Sequence, residues 1–317
     1  MQYIIITALL FVLELLYFRI ADKFDIIDKP NSRSSHSQIT LRGGGIIFPI
    51  AVMVAYFFGF VSLWVTIAIV IVAIISFIDD IKPLPNIPRL AIHIAAALLI
   101  FYDLKLLEEA WWLIPIMLLF LLSWVNAFNF MDGINGITVL FSLVTLLTFA
   151  ILPQNSSELP LLISIISACL VFGFFNFRKK AKTFAGDVGS ISLAMLVSYL
   201  MINTMIKTNQ IAYVLFFATY GIDAFITIIN RMIKKENIFD AHRSHLYQYM
   251  ANEYGMSHLV VSCWYAVVQI IINIFLIYMH NSGQLSLLNA SIFVSFLIFS
   301  YLLIRRSLLK KIRNKAN

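Results

Sequence analysis

Charged residues are scarce in this sequence: they make up 12% of its 317 residues, whereas hydrophobic residues make up 61%. Soluble domains carry roughly 25% charged and about 45–50% apolar residues. A soluble fold could not hide that much apolar surface, so the composition excludes a water-soluble globular protein. Internal repeats and low-complexity tracts are also absent, and we expect one integral membrane domain over residues 1–317.

Signals for disulfide bonds and for secretion are missing as well. The two cysteines, Cys169 and Cys263, lie in separate apolar runs. This excludes a disulfide framework and a cysteine-based zinc site. The first apolar run lacks the basic start and small-residue cleavage site of a signal peptide, so we interpret it as a retained first span.

Long apolar runs dominate the chain instead. A helix needs about 17–25 such residues to cross a hydrocarbon layer of ~30 Å. On that measure the sequence predicts an all-α, polytopic membrane protein with about eleven transmembrane helices. They lie near residues 2–19, 44–59, 61–78, 90–102, 111–126, 137–152, 159–176, 190–206, 210–229, 258–279 and 286–304.

The distribution of basic residues predicts the orientation. The loops after odd-numbered spans and the C-terminal tail hold 21 of the 23 Lys and Arg, and the other loops hold only Lys105 and Lys207. By the positive-inside rule, the N-terminus lies outside and the C-terminus in the cytoplasm. The basic tail, residues 305–317, is predicted to anchor this topology against anionic lipid.

Paired carboxylates, Asp79 and Asp80, end the third predicted span, and Lys82 and Arg89 follow. Adjacent helical residues point about 100° apart, so one carboxylate could orient a cation while the other acts as a base or nucleophile. Lys82 and Arg89 would then meet phosphate oxygens. The alternative is a charged pair that only caps the span, although carboxylates are unfavourable beside an anionic lipid surface.

Amides and a carboxylate occupy the junction of the fifth and sixth predicted spans. Asn126 and Asn129 are three residues apart, so a helix end would present both on one face. Asp132 follows, and Gly133 lets a ligand approach the backbone. This layout suits recognition of a nucleotide base or ribose. A turn between two helices would explain the glycines but not the polar side chains.

The segment Phe184-Ala-Gly-Asp-Val-Gly-Ser190 opens the eighth predicted span. Ser190 is predicted to cap that helix, and Gly186 to expose backbone N–H groups as an anion-binding nest. Asp187 offers a hard oxygen ligand for magnesium bound to a pyrophosphate. Phe184 could stack on a base. A simple turn and cap would need neither Asp187 nor Phe184.

The longest polar loop contains Asp240-Ala-His-Arg-Ser-His-Leu-Tyr-Gln248. His242 and His245 are spaced i, i+3, which predicts two imidazoles on one helix face beside Arg243. The spacing alone is a weak metal signal. An arginine between the histidines favours phosphate binding over zinc.

A fifth polar stretch runs from Asp28 to His36 and continues to Arg42 and three glycines. It supplies cations and hydroxyls, or it is a flexible linker.

Ionisable residues within the predicted spans are few: Glu14, His93 and Asp223. Such groups at membrane depth default to a functional hypothesis. Glu14 and Asp223 lie near span ends, where they could be interfacial. Asp223 and Arg231 are eight residues apart, two helical turns, and could face one pocket.

Together these motifs resemble the polyprenyl-phosphate N-acetylhexosamine-1-phosphate transferases, glycosyltransferase family 4. That family includes the enzymes that initiate enterobacterial antigen and O-antigen and the phospho-muramyl-pentapeptide transferase. The resemblance extends from about residue 28 to residue 250. It rests on R-S-S-H at 33–36 with R-G-G-G at 42–45, D-D at 79–80, N-x-x-N-x-x-D-G at 126–133, F-x-G-D-x-G-S at 184–190 and H-R-S-H-x-x-Q at 242–248.

The resemblance implies that undecaprenyl phosphate attacks a UDP-N-acetylhexosamine at the cytoplasmic face of a bacterial inner membrane, giving undecaprenyl-diphospho-sugar and UMP. It implies Mg²⁺, with Mn²⁺ as a substitute, at Asp187. The implied catalytic residues are Asp79, Asp80 and His242. The implied substrate contacts are Phe184 for uracil, Asn129 and Asp132 for uridine, and Lys82, Arg89, Arg42, Arg243 and His245 for phosphates or sugar. A covalent Asp-phosphosugar intermediate and a homodimer stay open, and no nucleic-acid partner is expected.

Two departures from the family pattern bear on the substrate. Asn135 stands where the family often has a second aspartate, which weakens any role for that carboxylate. The histidine segment is H-R-S-H rather than three adjacent histidines. With eleven rather than ten spans, this favours the initiators of O-antigen, in lipopolysaccharide synthesis, or of capsule. The expected donor is a UDP-N-acetylated hexosamine, such as N-acetylglucosamine or N-acetylfucosamine.

A membrane transporter with a cytoplasmic-side anion site is the alternative function. Transporter sites tend to lie at the midplane on broken helices. Here the predicted functional side chains cluster in loops on one face. A purely structural scaffold would need neither paired carboxylates nor an aspartate between glycines.

Overall fold

The computed structural model of the chain describes residues 1–30, 35, 38–237 and 242–316. Most of this part is helical. The helices are α1 (Gln2–Lys23), α2 (Ile47–Phe57), α3 (Leu63–Ile81), α4 (Asn86–Asp103), α5 (Leu106–Glu109), α6 (Ile114–Met131), α7 (Ile137–Ile151), α8 (Leu159–Asn176), α9 (Gly186–Thr208), α10 (Ala218–Ile233), α11 (Leu246–Gln248), α12 (His258–Asn281) and α13 (Leu287–Ala316). Two short strands, β1 (Ile27–Asp28) and β2 (Thr40–Leu41), pair antiparallel.

Short 3₁₀ and π segments extend several of these helices. The 3₁₀ segments Gly44–Ile46, Trp111–Leu113, Pro153–Glu158 and Ile211–Phe217 precede α2, α6, α8 and α10, and a π-helical turn, Tyr249–Glu253, follows α11.

The predicted fold class is confirmed. Within the described residues, nine helical segments are long and apolar enough to cross a membrane. Two shorter apolar helices, Gly44–Phe57 and Ile137–Ile151, correspond to the second and sixth predicted spans. The protein is therefore an all-α, polytopic membrane protein, while its orientation in the membrane stays a prediction.

Helix α9 is the centre of the bundle. Its apolar window is 89% buried, whereas that of α13 is 6% buried. It packs against α2, α3, α6 and α7. A Cβ on Gly45 would overlap the backbone of Gly189, and small residues of this kind let membrane helices approach closely. The first turn of α9 is thereby held among several helix ends.

Prolines end α3 and start α4. Residues 83 and 85 are prolines, which cannot continue an α-helical hydrogen-bond ladder. Helix α4 begins at Asn86, so Arg89 lies in its first turn. The short break turns Arg89 back towards the end of α3.

The ionisable residues inside the spans are buried in the bundle. Glu14 and Asp223 are fully inaccessible, and His93 is nearly so. Their depth in the membrane, interfacial or deeper, stays a prediction. Among the described residues, Arg231 pairs with Glu236 at 3.0 Å and Asp223 accepts from Tyr265 at 2.5 Å, while both lie close enough to His242 to influence its charge.

Candidate active site

The adjacent carboxylates Asp79 and Asp80 have separate partners. Asp79 Oδ1 accepts a hydrogen bond from the Leu84 N–H at 2.6 Å, and its Oδ2 pairs with Arg89 Nη1 at 2.9 Å. Asp80 points the other way and pairs with Arg42 Nε at 2.8 Å. The divergence follows from the angle between neighbouring positions on a helix. One carboxylate therefore fixes the proline loop and the other reaches the bundle centre.

The carboxylate of Asp80 occupies the first turn of α9. Its Oδ1 accepts from the Asp187 N–H at 2.9 Å, and its Oδ2 accepts from the Val188 N–H at 3.0 Å. These N–H groups have no partner within their own helix, and the helix dipole favours negative charge there. The nest predicted from Gly186 thus exists, but a carboxylate of the protein fills it.

The predicted cap at Ser190 is wrong. Helix α9 begins at Gly186, and its N-cap is Ala185, five residues before Ser190. The Ser190 hydroxyl donates to Asn129 Oδ1 at 2.5 Å and also lies 3.0 Å from the Gly186 carbonyl. Because Asp80 supplies the capping oxygens from another helix, the serine is free to fix the Asn129 side chain.

Two arginines connect three carboxylates at this position. Arg89 lies between Asp79, at 2.9 Å, and Asp187, at 3.2 Å. Arg42 lies between Asp80, at 2.8 Å, and Asp187, at 4.0 Å. The cluster has one carboxylate more than it has guanidinium groups. Asp187, held by the longest contacts, is the carboxylate with room for a further cation.

Backbone pairing brings Arg42 to this cluster. The Phe184 N–H donates to the Leu41 carbonyl at 2.9 Å, and the Gly44 N–H donates to the Phe184 carbonyl at 2.9 Å. The Tyr17 hydroxyl donates to the Arg42 carbonyl at 2.6 Å. Two segments more than 130 residues apart in sequence are thus laced together beside the first turn of α9.

A cavity of about 260 Å³ opens beside the cluster. Its size is near the lower end of the range for ligand pockets. Amides, carboxylates, an arginine and an aromatic ring share the wall. The described residues that line it are Asp28, Ser35, Arg42, Asn129, Asp132, Gly133, Ile134, Asn135, Asn176, Phe184, Gly186, Asp187, Gln248 and His258.

Asp132 is held neutral more easily than a free carboxyl. Burial raises its pKa to about 6, against a hydrogen bond from the Thr138 hydroxyl that favours the charged form and a repulsion from Asp80 that disfavours it. The Thr138 bond to Asp132 Oδ1 is 2.5 Å long. A polar ligand that donates to Asp132 would favour its charged form.

The histidine loop, residues 242–248, is not arranged as predicted. His245 precedes the single turn of α11, so the two histidines do not share a helix face. Their ring centroids are nevertheless 4.9 Å apart. Burial, and then repulsion from His245 and Arg231, lowers the pKa of His242 to about 4. His242 is therefore a neutral imidazole near pH 7.

Several predicted site residues lie outside the cavity wall. His242 and His245 pack against Phe130, and their ring centroids lie 6.0 and 6.5 Å from that of Phe130. Lys82 is exposed at the end of α3, and Asn126 is exposed and donates to the Leu122 carbonyl. Arg243 does not belong to the described lining. Residues 31–34, 36, 37 and 238–241, which include most of the R-S-S-H motif and Asp240, lie outside the described part of the chain.

Sequence reasoning missed several cavity residues, among them His258 and Gln248. His258 starts α12, and its Nδ1 accepts from the Asn135 N–H at 3.4 Å. Gln248 ends α11, and its Oε1 accepts from the His245 N–H at 3.2 Å. Gln248 carried a signal, since it follows His245 by three residues in the motif. His258 had no such sequence signal, because a histidine at the start of an apolar span is usually interpreted as the polar end of that span.

The candidate metal ligand in this cavity is Asp187. Among the described residues, no group of three His, Cys, Asp or Glu side chains is placed to hold a metal ion. Asp187 lines the cavity through hard oxygen atoms. Magnesium is usually held by one or two carboxylates together with water and substrate phosphates. The residues present fit that pattern.

The fold and the cluster define a polytopic membrane protein with a polar cavity beside the first turn of α9. The family model for glycosyl transferase family 4 matches residues 60–205 of the chain. This match, which includes Asp79, Asp80, Asp132 and Asp187, confirms the resemblance inferred from the motifs.

Relatives extend the similarity beyond the matched region. The chain is 25% identical over 324 residues to a probable undecaprenyl-phosphate N-acetylglucosaminyl 1-phosphate transferase of Bacillus subtilis, covering 94% of this chain and 87% of that protein. It is 29% identical over 196 residues to a phospho-N-acetylmuramoyl-pentapeptide-transferase of Streptococcus thermophilus, covering 50% and 57%. A Lactococcus lactis protein of the latter name is 42% identical over 79 residues, covering 24% of each chain.

Proposed function

We propose that this protein transfers an N-acetylhexosamine-1-phosphate from a UDP-sugar to undecaprenyl phosphate and releases UMP. The observation that carries the proposal is the cavity wall, on which Arg42, Asp187, Asn129, Asp132 and Phe184 meet. A cation, a carboxylate, amides and an aromatic ring are the groups that a nucleoside diphosphate and its metal require. The name of the Bacillus subtilis relative refers to a reaction of the same class.

We assign binding of the nucleoside end of the donor to Phe184, Asn129 and Asp132. Phe184 is half-buried and lines the cavity, where its ring is the aromatic surface that a base could stack on. The Asn129 amide is oriented by the Ser190 hydroxyl at 2.5 Å. Asp132 can accept from a ribose hydroxyl or a base N–H, and such a bond would offset the cost of charging it.

We assign binding of the diphosphate to Arg42 and Arg89. Both arginines already contact Asp187, at 4.0 and 3.2 Å. A phosphate could replace that carboxylate as their partner without moving them far. Phosphoryl transfer depends on positioning and charge neutralisation more than on covalent help from the protein.

Asp187 would hold magnesium once the arginines turn to the diphosphate. Bound there, the ion would supply charge neutralisation on the phosphate oxygens. Asp187 contributes one ligand, and phosphate and water would supply the others.

Asp79 is the carboxylate that we assign to the lipid phosphate. Asp80 is fully inaccessible at its side chain and is committed to the first turn of α9, whereas the Asp79 side chain is 10% exposed. Asp79 and its partner Arg89 would receive and orient the acceptor phosphate. His242, the third predicted catalytic residue, lies outside the described cavity wall, and we assign it no contact with the acceptor phosphate.

The donor and the location are narrower parts of the same proposal. We assign the site to the cytoplasmic face of a bacterial inner membrane and the product to O-antigen or related surface polysaccharide synthesis. UDP-N-acetylglucosamine is the first donor to test. The segment 230–257 is the longest polar stretch of the sequence and contains Gln248 of the cavity wall, so exchanging it with that of a relative should change the preferred sugar. An unchanged preference would remove the loop from the account of specificity.

The test of the reaction is UMP release by the purified protein in detergent. The mixtures contain undecaprenyl phosphate, magnesium and one of a panel of UDP-N-acetylhexosamines, with EDTA as the control. Release that needs lipid, metal and one particular sugar supports the proposal and names the donor. Absence of release with every sugar would favour the transporter alternative.

A further inference from the structure

Asp223 is a buried carboxylate to which no step above gives a task. It lies in α10, and three other elements converge on it. Its Oδ2 accepts from the Tyr265 hydroxyl of α12 at 2.5 Å, and its Oδ1 accepts from the Tyr301 hydroxyl of α13 at 2.9 Å. Oδ1 also accepts from the Leu246 N–H at 3.0 Å. A carboxylate satisfied from three directions is fixed in position.

The Leu246 contact leads directly to the cavity. Leu246 opens α11, and Gln248, two residues later, lines the cavity wall. His245 Nδ1 lies 3.5 Å from Asp223 Oδ1. The intervening Tyr247 donates through its hydroxyl to the Phe130 carbonyl at 2.9 Å. The turn 246–248 is thus fixed by two contacts: one to Asp223, and one to the end of α6, the segment that carries Asn129 and Asp132.

Arg305 of α13 contacts Ser244, which lies two residues before this turn. Its Nη2 donates to the Ser244 carbonyl at 2.9 Å, and its Nη1 donates to the Tyr301 hydroxyl at 2.9 Å and to the Thr227 hydroxyl at 3.2 Å. Arg305 is buried, and its positive charge is linked to Asp223 through Tyr301. We name the four residues Asp223, Tyr265, Tyr301 and Arg305 the loop clamp.

The loop clamp contacts the backbone of the histidine loop, at the Ser244 carbonyl and the Leu246 N–H. Contacts to the main chain fix where the loop lies whatever its side chains are. Stability alone does not require a buried charge pair, because well-packed apolar side chains of similar volume are often equally stabilising. A charged, tyrosine-linked clamp that ends on a cavity loop is therefore better explained by position than by stability.

We propose that the loop clamp positions residues 244–248 against the donor site and so sets the rate of transfer without touching substrate. This rests on the proposed function, since the site it serves is the transferase cavity. Asp223, Tyr265, Tyr301 and Arg305 are then positioning residues, which act through His245 and Gln248.

The first measurement is hydrogen–deuterium exchange of residues 242–250 in the ligand-free protein. Tyr301→Phe, Asp223→Asn and Arg305→Lys keep most of the volume and remove parts of the loop clamp. Each should speed exchange at Leu246 at least about tenfold, the change expected when one hydrogen bond is lost. Tyr278→Phe is the matched control, because Tyr278 lies on α12 with its side chain largely exposed. It should leave the exchange of this loop unchanged.

Kinetics separate positioning from general loss of structure. The clamp variants should lower kcat/KM for the UDP-sugar about tenfold or more, and leave KM for undecaprenyl phosphate within about twofold. Asp223→Ala should show the largest effect, and if it does not fold, the three milder variants still decide. Unchanged exchange overturns the clamp, and faster exchange with unchanged kinetics overturns its role in transfer. Faster exchange in a protein that releases no UMP with any donor supports the clamp and refutes the transferase.

Discussion

Asp80 Oδ1 lies 2.9 Å from the backbone nitrogen of Asp187, although the two residues are separated by 107 positions in the sequence. The end of α3 thereby caps the start of α9. Because Arg42 binds the same oxygen at 2.8 Å, one carboxylate joins the central helix, the glycine segment and the aspartate pair. This contact makes the candidate site a rigid unit.

Asp80→Ala should destabilise the protein more than Asp79→Ala. Removing Asp80 leaves the Asp187 and Val188 N–H groups without a partner, at a cost of about 1–3 kcal/mol each, and takes the nearer carboxylate from Arg42. Removing Asp79 leaves its partly exposed partner, Arg89, still paired with Asp187. Thermal unfolding of both variants in detergent measures the difference. Equal losses would show that Asp80 does not hold α9.

Gly186→Ala should disrupt the same contact from the other side. Gly186 has φ +70°, and a Cβ there would lie 2.5 Å from Asp80 Oδ2. The expected cost is about 1–3 kcal/mol from strain in the left-handed region alone. Gly221→Ala is the control, since a Cβ there meets no atom within 4 Å. A Gly186→Ala protein as stable as the Gly221→Ala protein would contradict the close approach.

Asp132→Asn should stabilise the ligand-free protein at pH 8 but not at pH 4. The folded pKa of about 6 exceeds the usual value near 4. The folded state therefore binds this proton more tightly, and the contribution is present below about pH 4 and lost as pH rises through 6. At pH 8 the charged form costs about 3 kcal/mol, which the amide avoids. Unfolding midpoints of both proteins at the two pH values check this, and a pH-independent difference would contradict it.

Phe184→Leu should raise KM for the UDP-sugar about tenfold or more with little change in kcat. Stacking of a base on an aromatic ring contributes about 1–3 kcal/mol. Phe184→Tyr keeps the ring and is the matched control. Initial rates of UMP release over a range of donor concentrations give both constants. A leucine variant with the KM of the tyrosine variant would place the uracil elsewhere.

Asp187→Asn should lose magnesium-dependent turnover while the protein still inserts in the membrane. The amide keeps the shape but not the charge that a hard cation prefers. UMP release over a magnesium titration, with membrane insertion as the control, measures this. Full activity in the variant would show that Asp187 does not hold the metal.

The class of fold and the position of most helices could be predicted from the amino-acid sequence alone. Apolar runs long enough to span a membrane have few alternatives, because lipid leaves every backbone N–H and C=O to be satisfied within the helix. Local chemistry also pointed to Asp187, Phe184 and Asn129, all of which lie on the cavity wall.

The different contacts of these residues could be seen only in the tertiary structure, because they depend on how the helices pack. Asp79 and Asp80 are indistinguishable as neighbours in sequence, yet one faces Arg89 and the other the first turn of α9. The wrong cap at Ser190 has the same origin, since the capping oxygens come from a residue far away in sequence. His258 and the loop clamp were likewise out of reach, because a buried polar side chain takes its role from the helices that surround it. Such pairings depend on how helices pack, which no local pattern specifies.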